Sequence, residues 1–156
     1  MTIDRLDAEI ITLFADEPRI SVLEASRRVG VARATVQARL RRMQANGTVR
    51  GFGPDVDIAR VGYPVTAFCT LEIRQGLGHD DVTRHLDGIP EVLEASTITG
   101  PGDLLVRVAA RSNSDLQRVI DRVVADESII RVATTIVLQT LIPARTLPLV
   151  RSSLED

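Results

Sequence analysis

The 156-residue sequence predicts an α+β chain with two small domains. Up to about residue 50, apolar residues recur with a helical period, which predicts an N-terminal three-helix, winged-type helix-turn-helix domain. From residue 64, strand patterns alternate with helix patterns, which predicts a C-terminal ferredoxin-like βαββαβ domain. Gly51, Gly53 and Pro54 mark a linker between the two patterns. The predicted boundaries are 1–50 for the first domain, 51–63 for the linker, 64–142 for the second domain and 143–156 for a C-terminal tail.

The first two helices are bounded by recognisable start and stop signals. A helix over 3–15 ends before Pro18, because proline disfavours a helical residue ahead of it. A second helix begins at Ser21, and the S-x-x-E spacing to Glu24 is a capping box. Gly30 ends that helix, since glycine readily adopts the left-handed turn after a helix.

A third helix is predicted over 33–45, with Val36, Leu40 and Met43 on its inward face. The opposite face carries small, amide and basic side chains. Glutamine can pair with adenine and arginine with guanine, alanine can lie against a thymine methyl, and flanking Arg or Thr can hold phosphates. The candidate contacts to double-stranded DNA are therefore Ser21, Arg33, Ala34, Thr35, Gln37, Ala38, Arg41 and Arg42. A helix pair that only packs against a protein partner is the alternative.

The charge distribution supports a polyanion-binding N-terminal half. The net charge of −2 is unfavourable for a nucleic-acid binder if it is spread evenly. However, residues 1–60 carry ten arginines and eight acids, whereas residues 61–156 carry nine arginines and thirteen acids. Between Glu24 and Asp55 there are seven arginines and no carboxylate. Such a run predicts positive potential on one surface of the first domain.

The second domain is predicted from six elements. A strand over 65–74 ends at Gly76 and Gly78, and Ser114 with Gln117 forms a capping box that opens the second helix. The elements are, in order, the strand 65–74, a helix 79–87, strands 91–99 and 104–110 around a GPGD turn, a helix from Ser114, and a long strand 129–142. Phe68 alternates with Cys69, so apolar residues occupy both faces of the sheet, and a partner subunit should cover the face that the helices leave open.

Several segments resemble the leucine-responsive/asparagine-synthase regulator (Lrp/AsnC) family of transcription factors. They are LDAEIITLF (6–14), RIS (19–21) with Glu24, RVGVARATVQARLRRM (28–43), NGTVRGF (46–52), TGPGDLLVRV (99–108) and TTIVL (134–138). The order and spacing of these segments follow the family over nearly the whole chain. Two residues depart from the pattern: Ala32 stands where serine usually precedes the third helix, and Ala25 stands where leucine is usual.

The resemblance implies an oligomeric regulator that binds a small effector. In the family, the C-terminal module dimerises through its sheet and assembles further, often to an octamer, and typically binds amino acids in clefts between subunits. It implies that the 100–103 loop contributes to that cleft. Glycine backbone N–H groups could approach a carboxylate, and an aspartate could take an α-ammonium. The candidate effector contacts are Gly100, Gly102, Asp103, Leu104, Thr134 and Thr135, although GPGD is first of all a turn.

Other functions are less consistent with the residues. An RNA-recognition domain would stack bases on aromatics, and the central strands 65–73 and 103–110 offer one phenylalanine. An Lrp-like haem-pathway decarboxylase is the enzymatic alternative, but His79 and His85 are six residues apart, which is no helical neighbour spacing. Lone Cys69 leaves no cysteine-based zinc site. Since the sequence also shows no nucleophile–base arrangement and no phosphate loop, no enzyme activity, metal or cofactor is expected. No membrane span or signal peptide is expected either, which favours the cytoplasm.

Overall fold

The computed structural model describes residues 3–74 and 79–153 and divides into two compact units, 3–55 with 142–153 and 56–141. The helices and strands are α1 (Arg5–Asp16), α2 (Val22–Arg28), α3 (Arg33–Ala45), β1 (Val65–Ile73), α4 (His79–Asp87), β2 (Val92–Thr97), β3 (Leu104–Ala110), α5 (Asn113–Val123), β4 (Ile129–Ile136) and α6 (Leu147–Ser152).

The N-terminal unit packs its helices around a small apolar core. The inward stripe predicted for the third helix is confirmed, because Val36, Leu40 and Met43 are all buried. They pack with Ile10 of α1 and Ala25 of α2, and partly buried apolar residues surround them. The segment 48–52 after α3 forms no β-bridge, so the regular secondary structure in the described part of this unit consists of helices.

The starts of the three N-terminal helices differ in how they are capped. Asp4 caps α1 through a reciprocal capping box with Asp7, and Ser21 caps α2 by accepting the Glu24 N–H at 3.1 Å. Ala32 occupies the cap position of α3 in an extended conformation and makes no side-chain cap bond. Helix α3 therefore begins without the side-chain cap that stabilises α1 and α2.

The segment expected to be a tail contains a helix. α6 packs against α1 within the N-terminal unit, and the Arg151 guanidinium contacts both carboxylate oxygens of Asp16 at 2.7 and 3.0 Å. Leu147 and Val150 are partly buried there. A six-residue helix shows too few turns for an apolar period to be visible in the sequence, which is why the prediction was wrong for this segment.

The C-terminal unit is a four-stranded antiparallel sheet with strand order β2-β3-β1-β4, and helices cover one face. Ala67, Cys69 and Leu71 of β1 are fully buried beneath α4 and α5. The α+β architecture and the βαββαβ order are thus confirmed. The intervening positions form the open sheet face, which includes Phe68, Thr70, Leu105, Arg107 and Thr135.

Three predicted details of the C-terminal unit are wrong. The cap of α5 is Ser112, which accepts the Asp115 N–H at 3.1 Å, so the predicted Ser114–Gln117 box is displaced by two residues. β4 ends at Ile136 rather than at 142, and β2 is shorter at both ends than 91–99. Gly76 and Gly78 lie outside the described residues. Within 3–74 and 79–153, no helix is long and apolar enough to cross a membrane.

Candidate nucleic-acid interface and effector loop

Helices α2 and α3 are joined by a tight four-residue turn. Gly30 adopts φ +71°, a conformation that favours glycine, and the Val31 N–H donates to the Ser26 carbonyl at 3.0 Å. Because the two helices also pack against each other, α3 is held with its Val36 side inward. The opposite side of α3 therefore faces away from the core.

The predicted DNA contacts on α3 lie on one helix and reach solvent. Arg33, Ala34, Ala38 and Arg41 are exposed, whereas Thr35 and Gln37 are partly exposed. The small alanines leave room for another surface to approach closely, and the longer side chains flank them. This combination suits base edges in a major groove.

Ser21, which the sequence predicts to contact DNA, also has a structural role. Its Oγ accepts the Glu24 N–H and so caps α2. The hydroxyl proton is not used by that bond, so Ser21 can still donate to a phosphate oxygen.

Most of the arginines between Glu24 and Asp55 are ion-paired with carboxylates from outside that stretch or at its edge. Arg28 contacts Glu17 and Glu24, and Arg27 contacts Glu24 at 3.7 Å. Over the described ranges 3–74 and 79–153, no carboxylate lies within ion-pair distance of Arg33, Arg41 or Arg50, which are all exposed. The unpaired positive charge is therefore smaller than the count of seven indicates.

Arg39 and Arg42 contact acids at the start of α1. Arg39 Nη1 contacts Asp4 Oδ2 and lies 3.1 Å from Asp7 Oδ1, and Arg42 Nη2 contacts Asp7 Oδ2. The Arg39 guanidinium holds the pKa of Asp4 below its usual value, and the Asp7 N–H hydrogen bond acts in the same direction. The Asp7 side chain is only 2% exposed. No local pattern in the sequence indicates these pairs, because Asp7 and Arg42 are 35 residues apart.

The effector candidates around the GPGD turn are tightly built into the sheet. Gly100 is exposed with φ +121°, and a Cβ on Gly102 would lie 2.5 Å from Thr70 Cγ2, so both positions favour glycine for local reasons. The Asp103 carboxylate accepts the Ile73 N–H at 2.8 Å, which leaves its other oxygen for a ligand. Leu104 is buried.

Thr134 and Thr135 lie on opposite faces of the sheet. Thr134 is paired with Cys69, and its Oγ1 lies 3.6 Å from the Cys69 Sγ, whereas Thr135 is paired with Phe68 on the open sheet face. The 100–103 loop leads into β3, and β1 separates β3 from β4, so the loop and the threonines are about 10 Å apart across the sheet. One protomer does not bring all six candidates into a single cluster.

The residues considered for catalysis have structural surroundings. His85 Nε2 lies 2.9 Å from the Arg122 carbonyl and 3.1 Å from the Val123 carbonyl, at the end of α5. Cys69 is buried, and burial raises the pKa of its thiol. The His79 side chain lies outside the described residues. Within 3–74 and 79–153, no group of three His, Cys, Asp or Glu residues could hold a metal ion.

Comparison with known proteins identifies both parts of the chain. Residues 3–44 match the AsnC-type helix-turn-helix domain, and residues 66–147 match the Lrp/AsnC ligand binding domain. The HTH-type transcriptional regulator FL11 of Pyrococcus horikoshii is 25% identical over 138 residues, which cover 88% of this chain and 91% of that protein.

Solved structures agree with these matches. E. coli AsnC superposes with a TM-score of 0.86 at 28% identity, over 95% of this chain and 100% of that chain. A feast or famine regulatory protein from M. tuberculosis, complexed with L-methionine, superposes with a TM-score of 0.83 at 25% identity, over 93% of this chain and 98% of that chain. The chain belongs to the Lrp/AsnC family of helix-turn-helix transcriptional regulators.

Proposed function

We propose that this chain is a sequence-specific, oligomeric transcriptional regulator of the cytoplasm that responds to a small effector such as an amino acid. In this proposal α3 enters the major groove, and its outward side chains contact base edges and phosphates. The C-terminal unit assembles the oligomer. An effector changes DNA binding only if it binds one assembly more tightly than another.

The observation that carries the proposal is the exposed face of α3. Arg41 and Arg33 are exposed and unpaired within the described part of the chain, and the alanines between them keep the surface shallow. A face built for a large obligate protein interface would be more apolar than this one. The proposed contacts are Ser21, Arg33, Ala34, Thr35, Gln37, Ala38 and Arg41.

The test of this face is Arg41→Ala, with Arg84→Ala as its control. Arg84 is also an exposed helical arginine, but it lies on α4 of the other unit. We expect Arg41→Ala to weaken binding to a selected operator by about 1–3 kcal/mol in a gel-shift titration. Arg84→Ala should leave the affinity unchanged. Equal operator affinity for wild type and Arg41→Ala would contradict the proposed face.

The effector proposal places a ligand in a cleft between subunits, with Gly100, Gly102 and Asp103 from one side. The separation of these residues from Thr134 and Thr135 supports a shared site, because a neighbouring subunit could supply the groups that one protomer does not bring together. The L-methionine complex of the M. tuberculosis relative supports an amino acid as the ligand class.

A thermal-shift screen of the full chain against the amino acids tests the effector proposal. At a ligand concentration about 100 times Kd, binding stabilises the native state by about 2.7 kcal/mol. Asp103→Asn is the informative variant, since an amide oxygen can still accept the Ile73 N–H while the negative charge is lost. We expect it to abolish the ligand-induced shift, and an undiminished shift would remove Asp103 from the site.

A further inference from the structure

Helix α3 carries two kinds of arginine, and a buried carboxylate distinguishes them. Arg33 and Arg41 have no carboxylate partner among the residues that the structure describes. Arg39 and Arg42 both contact Asp7, which belongs to α1 and is almost fully buried. Arg39 and Arg42 are three residues apart, so they project from neighbouring positions on the same side of α3.

We propose that Asp7 is a specificity-determining residue: it holds Arg39 and Arg42 away from DNA phosphates and so limits binding to duplexes of any sequence. The inference rests on the proposed function of α3 as the DNA-reading helix. It also gives Arg42 a different role from the phosphate contact that its position in the sequence predicts.

Each carboxylate oxygen of Asp7 contacts one of the two arginines. Asp7 Oδ1 lies 3.1 Å from Arg39 Nη1, and Asp7 Oδ2 contacts Arg42 Nη2. The capping box of α1 fixes the carboxylate, because Asp4 Oδ1 accepts the Asp7 N–H at 2.9 Å and Asp7 Oδ2 accepts the Asp4 N–H at 3.3 Å. Removing an arginine from a buried carboxylate leaves an uncompensated charge, which is strongly unfavourable.

The charge balance of this cluster is zero. Asp4 also contacts Arg39, so two arginines face two carboxylates, and the hydrogen bond from Arg39 lowers the pKa of Asp4. Although Arg42 is 41% exposed, its charge is already compensated at the protein surface. A phosphate approaching this side of α3 would meet little net positive charge.

The consequence concerns specificity rather than affinity alone. Phosphate contacts add affinity for every sequence, and a genome offers a large excess of competing sites. With Arg39 and Arg42 held by Asp7, the arginines of α3 without a carboxylate partner in the described part of the chain are Arg33 and Arg41. They belong to the face that also presents Gln37. Charge contacts then form mainly when that face is in the groove.

The experiment measures the affinity of the full chain for a short duplex of random sequence over a range of salt concentrations. Each phosphate contact steepens the plot of log K against log salt by about 0.9. Asp7→Asn keeps the side-chain shape but removes the charge, so we expect a slope steeper by up to about 0.9 for each released arginine. In the wild-type background, Arg39→Gln with Arg42→Gln should leave the slope unchanged. Arg33→Gln is the matched control and should flatten it by about 0.9.

Two results would overturn the inference. One is an Asp7→Asn slope equal to that of the wild type. The other is a flatter slope for the double variant, Arg39→Gln with Arg42→Gln, with a change at least as large as that of Arg33→Gln. That result would show that Arg39 and Arg42 contact DNA in the wild type. If Asp7→Asn does not fold by circular dichroism, Arg42→Gln alone decides, since it leaves Arg39 paired with Asp7, and a flattening as large as that of Arg33→Gln would overturn the inference.

Elution from immobilised heparin separates this inference from the proposed function, because heparin is a polyanion without bases. We expect Asp7→Asn to elute at higher salt than the wild type. A triple variant that combines Asp7→Asn with Arg39→Gln and Arg42→Gln should elute at the same salt concentration as the wild type. Loss of folding stability alone would not produce that reversal. If Asp7→Asn elutes later but the wild type shows no preference for any operator, only the proposed function is refuted. Operator recognition with unchanged elution would refute the Asp7 inference only.

Discussion

Individual arginines in this chain cannot be assigned from their number in the sequence. The stretch from Glu24 to Asp55 contains seven arginines and no carboxylate, yet Arg28, Arg39 and Arg42 pair with acids that precede it. Asp7 comes 35 residues before Arg42, and no local period or spacing connects the two. The sequence therefore predicts a positively charged surface on the N-terminal unit but overestimates how much of that charge is unpaired.

Glu91 is the corresponding buried acid of the C-terminal unit. Its side chain is 8% exposed, and it contacts Arg118 at 2.7 Å and Arg122 at 2.9 Å, both on α5. The hydrogen bond from Arg118 lowers the pKa of Glu91, although desolvation acts in the opposite direction. Glu91 thus joins α5 to the segment before β2.

We expect Glu91→Gln to lower the free energy of unfolding by about 1–3 kcal/mol at pH 7, because a buried charged hydrogen-bond pair is weakened. Since the folded-state pKa lies below the unfolded value, the stabilisation is fully present above the unfolded pKa. It is lost as the pH falls through the folded pKa.

Urea denaturation followed by circular dichroism at pH 7 and about pH 3.5 checks this prediction. The difference between wild type and Glu91→Gln should shrink at the lower pH. Asp81→Asn removes an exposed pair with Arg84 and should cost less than about 1 kcal/mol. Equal effects of the two substitutions at pH 7 would contradict the role of Glu91.

At the scale of elements, the predictions succeed where the signal is local. The bounds of α3 agree with the predicted 33–45, because a buried stripe of three residues and an Asn-Gly stop define them. β4 is shorter than predicted because its partner runs out. Val137 still donates to the Thr66 carbonyl at 2.9 Å, but β1 begins at Val65, just after Pro64. β-branched composition alone does not indicate where a partner strand starts.

The uncapped start of α3 gives an element-scale prediction. Ala32 has φ −64° and ψ 145°, which is already the extended conformation of a cap residue, and only the hydrogen-bonding side chain is missing. Ala32→Ser should stabilise the N-terminal unit by about 0.5–2 kcal/mol, because its hydroxyl can accept a backbone N–H of Ala34 or Thr35.

Thermal melting of the full chain, followed by circular dichroism, measures the effect of Ala32→Ser. Ala38→Ser is the control, since Ala38 is an exposed interior position of the same helix and serine is a poorer helix former than alanine. We expect the melting temperature to rise for Ala32→Ser and to fall slightly for Ala38→Ser. A rise for both, or for neither, would refute the capping argument.

At the scale of the whole molecule, the sequence predicts the two-part architecture better than it predicts the residues of a binding site. The two-part architecture follows from a change of period near residue 64, and both matched families confirm it. The effector candidates are harder to predict because the residues that line a site depend on strand order. Thr134 and Thr135 adjoin in the sequence, yet they lie on opposite faces of the sheet. If the effector site lies between two subunits, as proposed, it leaves no local pattern in one chain.

The open sheet face is the surface on which we expect two copies of the chain to associate. Phe68 is 36% exposed on this face, with Thr135 and Arg107 as its cross-strand neighbours. Both helices of the unit cover the opposite face, and in the proposed oligomer a second copy would bury Phe68. An aspartate at this position would place a charge in the centre of that contact.

We therefore expect Phe68→Asp to weaken association by about 2 kcal/mol or more, which is about 30-fold in the dissociation constant. Light scattering across a dilution series would show this as a lower mass than that of the wild type at equal concentration. Thr83→Asp introduces the same charge at an exposed position of α4, on the helical layer, and should leave the mass unchanged. If Phe68→Asp retains the wild-type mass at every dilution, another surface assembles the oligomer, and the proposed cleft for the effector must be placed elsewhere.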